Sequence, residues 1–130
     1  MKNIYLDHNA TTPPDPEVLV EMETCQAEVF GNPSSIHAFG QKARQVIETA
    51  RTRVAYLIGA QPDEVYFTSG GTEADNLAIF GTMARSGHER RHIITTAIEH
   101  QAVLNPCRLL EKKGHPMTFL PVSREGLTDS

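Results

Sequence analysis

The sequence has few cysteines, no excess of basic residues and no long apolar run, and each shortage excludes a class of protein. Two cysteines, Cys25 and Cys107, are too few for the disulfide framework of a small secreted domain. A net charge of -4 argues against direct nucleic-acid binding, which requires a basic patch or stripe. No apolar run approaches the length of a membrane span, and the amino terminus carries no signal-peptide pattern. We therefore expect a cytoplasmic protein with reduced thiols and no membrane contact.

Several well-known site motifs are also missing from the sequence. It has neither the Gly-Lys-Ser/Thr of a P-loop nor a Gly-x-Gly-x-x-Gly dinucleotide turn, which disfavours the nucleotides that those motifs bind. It has no Gly-x-Ser-x-Gly elbow, so a serine hydrolase is disfavoured. No group of histidines and carboxylates shows the spacing of metal ligands, and we predict no metal site.

The residues that are present predict an α/β fold. With 130 residues, of which 39% are hydrophobic and 22% charged, the chain is long enough for one domain with a core. Helical and strand patterns alternate, which indicates right-handed crossovers and a mainly parallel sheet with flanking helices. A polar connection spans 86–91, and the last strand has no covering helix after it, which suggests a fragment. The predicted helices begin at Pro16 and cover 43–58, 72–85 and 101–113, and the predicted strands cover 64–68, 92–96 and 117–122.

The first predicted helix has a typical start and one apolar face. Asp15 can cap it, and Pro16 fits the first helical position because its missing N–H is not needed there. We expect the apolar face to be buried and Cys25 to act as a small apolar filler within it. The residues that share this face are Val18, Met22, Cys25 and Val29.

The stretch 67–76 reads Phe-Thr-Ser-Gly-Gly-Thr-Glu-Ala-Asp-Asn and predicts a strand-to-helix turn with two glycines. Glycines let the backbone approach a ligand closely, and the N–H groups and dipole of the new helix favour an anion. Thr72 adds a hydroxyl donor at the helix start. A phosphate site fits this pattern, and so does an ordinary tight turn, because Ser, Thr and Gly are common capping and turn residues.

His100 follows the second predicted strand. Ligands of open α/β sheets collect outside the carboxyl ends of the strands, so we expect His100 on the same rim as the glycine turn. An imidazole in that position can stack on a flat ligand or move a proton near neutral pH. The spacing equally allows a histidine that caps the following helix.

Four blocks of the sequence belong together: Tyr5–Thr12, Phe30–His37, Phe67–Asn76 and Ile94–Val103. In this order they resemble the cysteine desulfurases of the NifS/IscS type, which are pyridoxal-phosphate enzymes of the class V aminotransferase group. The resemblance implies the N-terminal part of the aminotransferase fold type I large domain. Residues 1–15 would form an arm, and residues 16–130 would form the first part of the domain that binds the coenzyme.

The same resemblance implies roles for individual residues and partners for the whole protein. Gly71 and Thr72 would hold the phosphate of pyridoxal 5'-phosphate, and His100 would stack on its ring and assist proton transfer. The family converts L-cysteine to L-alanine and an enzyme persulfide at a homodimer interface. The sulfur then passes to an iron–sulfur scaffold, another acceptor protein or tRNA thiolation. The residues expected to border the substrate are Asn9, Ala10, Thr11, Asn32 and His37.

The resemblance does not extend to the family's main catalytic residues. The Schiff-base lysine, the aspartate that pairs with the pyridine nitrogen, the catalytic cysteine and the small domain all lie beyond position 130 in the family pattern. Cys107 falls within a helix, so it does not resemble the sulfur acceptor. The chain alone is therefore expected to be inactive. Two alternatives stay open: a remnant or split-enzyme subunit that pairs with a desulfurase, and another class V enzyme such as selenocysteine lyase.

Overall fold

A computed structural model describes residues 3–85 and 92–128 of the chain. The fold divides into two compact units, Met1–Tyr66 and Phe67–Ser130. The predicted polar connection over 86–91 lies outside the described residues. Within the described part of the chain, no helix is both long and apolar enough to cross a membrane.

The first unit contains two helices, α1 (Pro16–Glu28) and α2 (Ala38–Ile58), followed by a 3-10 turn at Pro62–Glu64. The predicted start of α1 is confirmed, because the Asp15 carboxylate accepts a hydrogen bond from the Glu17 N–H at 2.8 Å. The predicted end of α2 is confirmed as well. Gly59 follows that helix with a φ of 69°, the left-handed conformation that glycine adopts without strain.

The loop that joins α1 to α2 is compact. The centroids of the Phe30 and Phe39 rings lie 5.3 Å apart. A Cβ atom placed on Gly40 would lie 2.6 Å from the Asn32 carbonyl oxygen and would also overlap the Ser35 carbonyl oxygen. This position therefore requires glycine, which fixes the path of the chain into α2.

Helix α1 contains no buried residue, and the prediction that Cys25 lies on a buried face is wrong. Val18 and Met22 are about half exposed, and Cys25 is half-buried. The physical reason is an open groove of about 740 Å³ between α1 and α2, which leaves the apolar side of α1 partly uncovered. Residues of both helices line the groove, among them Val18, Met22, Cys25, Val46 and Ala50.

The second unit alternates helices and strands in the order α3 (Gly71–Arg85), β1 (Ile93–Thr96), α4 (Gln101–Lys112) and β2 (Met117–Leu120). The two strands are parallel, as predicted, and their register pairs Ile93 with Met117 and Thr96 with Leu120. Helix α4 packs against α3 and supplies most of the core. Among its described residues, the buried ones are Met83, Ala102, Leu104, Pro106, Cys107 and Leu110.

The strand predicted over 64–68 is wrong. After the 3-10 turn, Val65 is extended, but among the described residues no segment pairs with 65–68 as a strand. Local groups bind the Val65 backbone instead. Its N–H donates to the Pro62 carbonyl oxygen at 3.3 Å, and its carbonyl oxygen accepts from the Arg51 guanidinium. Aromatic and β-branched residues favour an extended chain here, but a strand also needs a neighbouring strand to bond.

Candidate functional site

The amino terminus of α3 has the features of an anion site. The first intrahelical hydrogen bond of α3 runs from the Ala74 N–H to the Gly70 carbonyl oxygen at 3.1 Å. The amides of Gly71, Thr72 and Glu73 come earlier and have no acceptor within the helix. A Cβ atom placed on Gly70 or Gly71 would meet no atom of the described chain within 4 Å. The turn therefore combines N–H donors, the positive end of a helix dipole and open space beside both glycines.

A carboxylate holds the shape of this turn. Oε2 of Glu73 accepts hydrogen bonds from the Ser69 N–H at 2.7 Å and from the Ser69 hydroxyl at 2.6 Å. These bonds, the hydroxyl bond first and the backbone bond second, lower the pKa of Glu73 below its ordinary value of 4.5. Glu73 is therefore ionised at neutral pH. A bound anion would feel its negative charge, so the helix amides must outweigh that repulsion.

His100 caps α4, which is the role that its spacing had left open. Its Nδ1 accepts a hydrogen bond from the Ala102 N–H at 3.1 Å. Because Nδ1 is the acceptor, the neutral ring carries its proton on Nε2. The side chain is exposed. The cap therefore uses one ring nitrogen and leaves Nε2 and the ring face for a second contact.

Asn76 was not singled out from the sequence, and it links the two helix starts. Its side-chain amide donates to the Thr72 carbonyl oxygen at 2.7 Å and to the Ala102 carbonyl oxygen at 3.3 Å. Thr72 lies in the first turn of α3, and Ala102 lies in the first turn of α4. Gly71, Thr72 and His100 thus belong to the same unit, joined by this bridge. The bond to Thr72 is local, but the bond to Ala102 could be predicted only by knowing that α3 and α4 are neighbours.

The substrate-side candidates His37 and Asn32 lie in the first unit, where both serve the loop before α2. Nδ1 of His37 accepts from the Gly40 N–H at 3.4 Å and so caps α2. Oδ1 of Asn32 accepts from the Ser34 N–H at 2.9 Å. Both residues are exposed. Each has a clear local task, and their place beside a substrate stays a prediction.

The remaining candidates, Asn9, Ala10 and Thr11, form a turn in the arm of the first unit. The N–H groups of Ala10 and Thr11 both donate to the Asp7 carbonyl oxygen, at 3.2 and 3.4 Å. The Tyr5 hydroxyl lies 2.8 Å from Oγ1 of Thr11 and closes the turn. The whole turn is exposed, and its substrate-side role also stays a prediction.

Cys107 has the surroundings of an unreactive thiol. It is 1% exposed in the middle of α4. Burial, and then the negative charge of Glu99, raise the pKa of its thiol above the ordinary value of 9.0. A buried thiol that resists ionisation is a poor nucleophile. That Cys107 is not a sulfur acceptor stays a prediction, and its burial is in keeping with a structural role.

Comparisons with known proteins agree with the four sequence blocks. The profile of the class-V aminotransferases matches residues 4–130. Cysteine desulfurase IscS of Dictyoglomus turgidum is 52% identical over 128 residues, which cover 98% of this chain and 32% of that protein. A solved NifS-like protein has a TM-score of 0.85 at 40% identity over 93% of this chain and 33% of its own. A structure described as SspA in complex with cysteine has a TM-score of 0.78 at 41% identity, covering 87% and 33%.

The chain thus spans about a third of the length of these proteins. Its α/β fold, with parallel strands and flanking helices, is that of the N-terminal part of the fold type I large domain. The resemblance drawn from the sequence is confirmed. The chain belongs to the class-V aminotransferase family and is similar to the N-terminal third of cysteine desulfurases of the NifS/IscS type.

Proposed function

We propose that this chain supplies the phosphate-binding and ring-facing part of the active site of a pyridoxal-phosphate-dependent cysteine desulfurase. The observation that carries the proposal is the amino terminus of α3, where the first helix amides have no acceptor within the helix and a Cβ on Gly70 or Gly71 would meet no described atom within 4 Å. In this proposal residues 1–15 form an arm and residues 16–130 form the first part of the large domain. The protein is cytoplasmic.

The residues at the turn fit the phosphate of pyridoxal 5'-phosphate. We assign the phosphate to the amides of Gly71 and Thr72 and to the Thr72 hydroxyl. Hydrogen bonds to a charged acceptor contribute about 1.5–3 kcal/mol each, so a few of them outweigh the repulsion from Glu73. The absence of a side chain at Gly71 lets the phosphate reach the backbone.

We assign the ring of the coenzyme to His100. When bound, the coenzyme supplies an electron sink for the carbon–nitrogen chemistry of an amino acid. His100 would stack on the ring and would move a proton at Nε2, because Nδ1 accepts from the Ala102 N–H in the α4 cap. The cap also fixes which nitrogen is protonated at rest, which prepares the ring for transfer through one defined atom.

The proposed substrate is L-cysteine, and the products are L-alanine and an enzyme persulfide. Support comes from the similar protein whose structure is described as a complex with cysteine. We place Asn9, Ala10, Thr11, Asn32 and His37 around this substrate, at a homodimer interface. The sulfur would pass to an iron–sulfur scaffold or to another acceptor. None of the lysines of this chain matches the family's Schiff-base lysine, so we expect no turnover from these 130 residues alone.

Parallel sheets are normally covered on both faces, and Ile94 of β1 is 61% exposed, so further polypeptide would cover this face. In the alternative of a split-enzyme subunit, that polypeptide is a second chain. Mixing this chain with a polypeptide corresponding to the C-terminal two-thirds of the D. turgidum relative tests this alternative. Sulfide release only from the mixture supports a split enzyme, and binding without activity supports a non-catalytic partner.

The phosphate assignment is tested with Thr72→Ala and pyridoxamine 5'-phosphate, which has no aldehyde and cannot react with surface lysines. We expect the affinity measured by calorimetry to fall on the order of tenfold, the cost of one hydrogen bond to a charged group. Thr24→Ala is the matched control, because its hydroxyl donates to the Val20 carbonyl oxygen inside α1. Equal affinity in wild type and Thr72→Ala would remove Thr72 from the site.

A further inference from the structure

We propose that Asn76 is a positioning residue that fixes His100 relative to the phosphate-binding turn by bridging the first turns of α3 and α4. The effect of this bridge on coenzyme binding rests on the proposed function. The bridge itself is a feature of the fold that can be measured without a ligand.

The amide of Asn76 holds both helices at once. One distance, from its nitrogen to the Thr72 carbonyl oxygen, is 2.7 Å, and the other, to the Ala102 carbonyl oxygen, is 3.3 Å. A side-chain amide has two N–H groups, and each of these bonds can use one of them. Asn76 is half-buried, so water competes less for these donors than it does at the surface.

Pro106 explains why the Ala102 carbonyl oxygen is open to a bond from another helix. In an α-helix the carbonyl of Ala102 would accept from the N–H of the residue four positions later. That residue is Pro106, which lies inside α4 and has no N–H. Ala102 is buried, and a buried carbonyl without a donor is costly. The Asn76 amide takes the place of the missing donor, so Pro106 and Asn76 act as a pair.

Ala102 is hydrogen-bonded to both Asn76 and His100. Its carbonyl oxygen accepts from Asn76, and its N–H donates to Nδ1 of His100 at 3.1 Å. An unbroken series of contacts therefore runs from Thr72 through Asn76 and Ala102 to the imidazole. The coenzyme has a ring and a phosphate at a fixed separation, so the two sets of contacts must be held at a matching separation. Preorganisation of this kind saves the cost of ordering the site on binding.

The experiment distinguishes two roles of Asn76: positioning His100, and donating a hydrogen bond to the buried Ala102 carbonyl. The double variant Asn76→Ala/Pro106→Ala gives residue 106 an N–H, so the Ala102 carbonyl is bonded within α4 while the bridge to α3 is lost. Pro106→Ala alone is the control, because it keeps the Asn76 side chain. Both variants also gain helix propensity at 106, which protects them against unfolding.

The ligand-free measurement is the ring ¹⁵N NMR spectrum of His100 in the full chain. We expect one sharp set of signals, with the proton on Nε2, in wild type, and shifted or broadened signals in the double variant. An unchanged His100 spectrum in the double variant would overturn the inference, whether or not the chain binds any ligand.

The binding measurement compares two probes. Inorganic phosphate reports the α3 turn alone, and pyridoxamine 5'-phosphate reports the turn and the ring contact together. We expect the double variant to keep its affinity for phosphate and to lose on the order of tenfold in affinity for pyridoxamine 5'-phosphate, the size of one lost hydrogen bond. A merely structural residue would weaken both probes alike, and that result contradicts the inference. A wild-type chain that binds neither probe contradicts the proposed function, and the His100 spectrum then decides the inference.

Discussion

Helices α1 and α4 both start with a side-chain N-cap and are nearly the same length, but of the two only α4 has buried residues. Each has a side-chain cap, from Asp15 at 2.8 Å and from His100 at 3.1 Å. None of the 13 residues of α1 is buried, whereas five of the 12 residues of α4 are. The comparison shows that local chemistry decides whether a helix begins, and that an opposing surface decides whether it is packed.

The opposing surfaces differ in a simple way. Helix α4 packs against α3, and its residues Leu104 and Cys107 are buried. Helix α1 faces an open groove, and Val18, which lines this groove, is 50% exposed. Helices in proteins owe most of their stability to the packing of one face. The second unit should therefore depend on α4 far more than the first unit depends on α1.

The largest expected effect comes from shortening one leucine in each helix. Leu104→Ala removes a side chain that is 4% exposed and should destabilise the second unit by about 2–5 kcal/mol. Leu19→Ala in α1 removes one that is 43% exposed and should cost the first unit less than about 1 kcal/mol. Hydrogen exchange during urea unfolding reports the free energy of each unit separately. Equal costs would mean that α1 is packed as tightly as α4.

A second pair of variants compares the packing around one glycine in each unit. Gly40→Ala places a Cβ against the carbonyl oxygens of Ser35 and Asn32 and should destabilise the first unit by about 1–3 kcal/mol. Gly81→Ala, in the middle of α3, meets no described atom within 4 Å and should stabilise the second unit by about 0.5–1 kcal/mol. Thermal unfolding measures both. Opposite signs are the expected result, and destabilisation by Gly81→Ala would reveal a contact on that face of α3.

This comparison also explains which features could be predicted from the sequence. The caps at Asp15 and Gly59 and the parallel pairing of β1 with β2 could be predicted, because residues close together in the chain determine the first two and helical crossovers determine the third. The partial exposure of Cys25 could not be predicted, because it depends on a surface distant in sequence. The segment 65–68 has the residues of a strand, but no neighbouring strand pairs with it among the described residues.

The candidate site follows the same rule. The glycine turn could be predicted because its donors and its open space arise from one short stretch, including Gly71. Residues near His100 in sequence also determine its place at the start of α4. The bridge from Asn76 to Ala102 could not be predicted, because 26 positions separate these residues. Pro106 removes an N–H donor from α4 and so leaves the Ala102 carbonyl open, but only a donor from another helix turns that carbonyl into a contact.

The smallest expected effect compares the two thiols. Cys25 on α1 is half-buried, and Cys107 on α4 is 1% exposed. Iodoacetamide should modify Cys107 at least about tenfold more slowly than Cys25, because Cys107 reacts only after local opening and an opening free energy of about 1.4 kcal/mol is enough for that factor. Peptide mass spectrometry gives both rates, and unfolding in urea, where the two rates should converge, is the control.

The pH dependence of the same reaction sharpens the comparison, because burial and the charge of Glu99 raise the pKa of the Cys107 thiol. The unfolded chain therefore ionises this thiol first as the pH rises through 9.0, so stability falls and opening becomes easier. The rate at Cys107 should then rise more steeply with pH than the thiolate fraction alone requires. A native chain that labels both cysteines equally fast at neutral pH would show that α4 opens as readily as α1 and that burial does not distinguish the two helices.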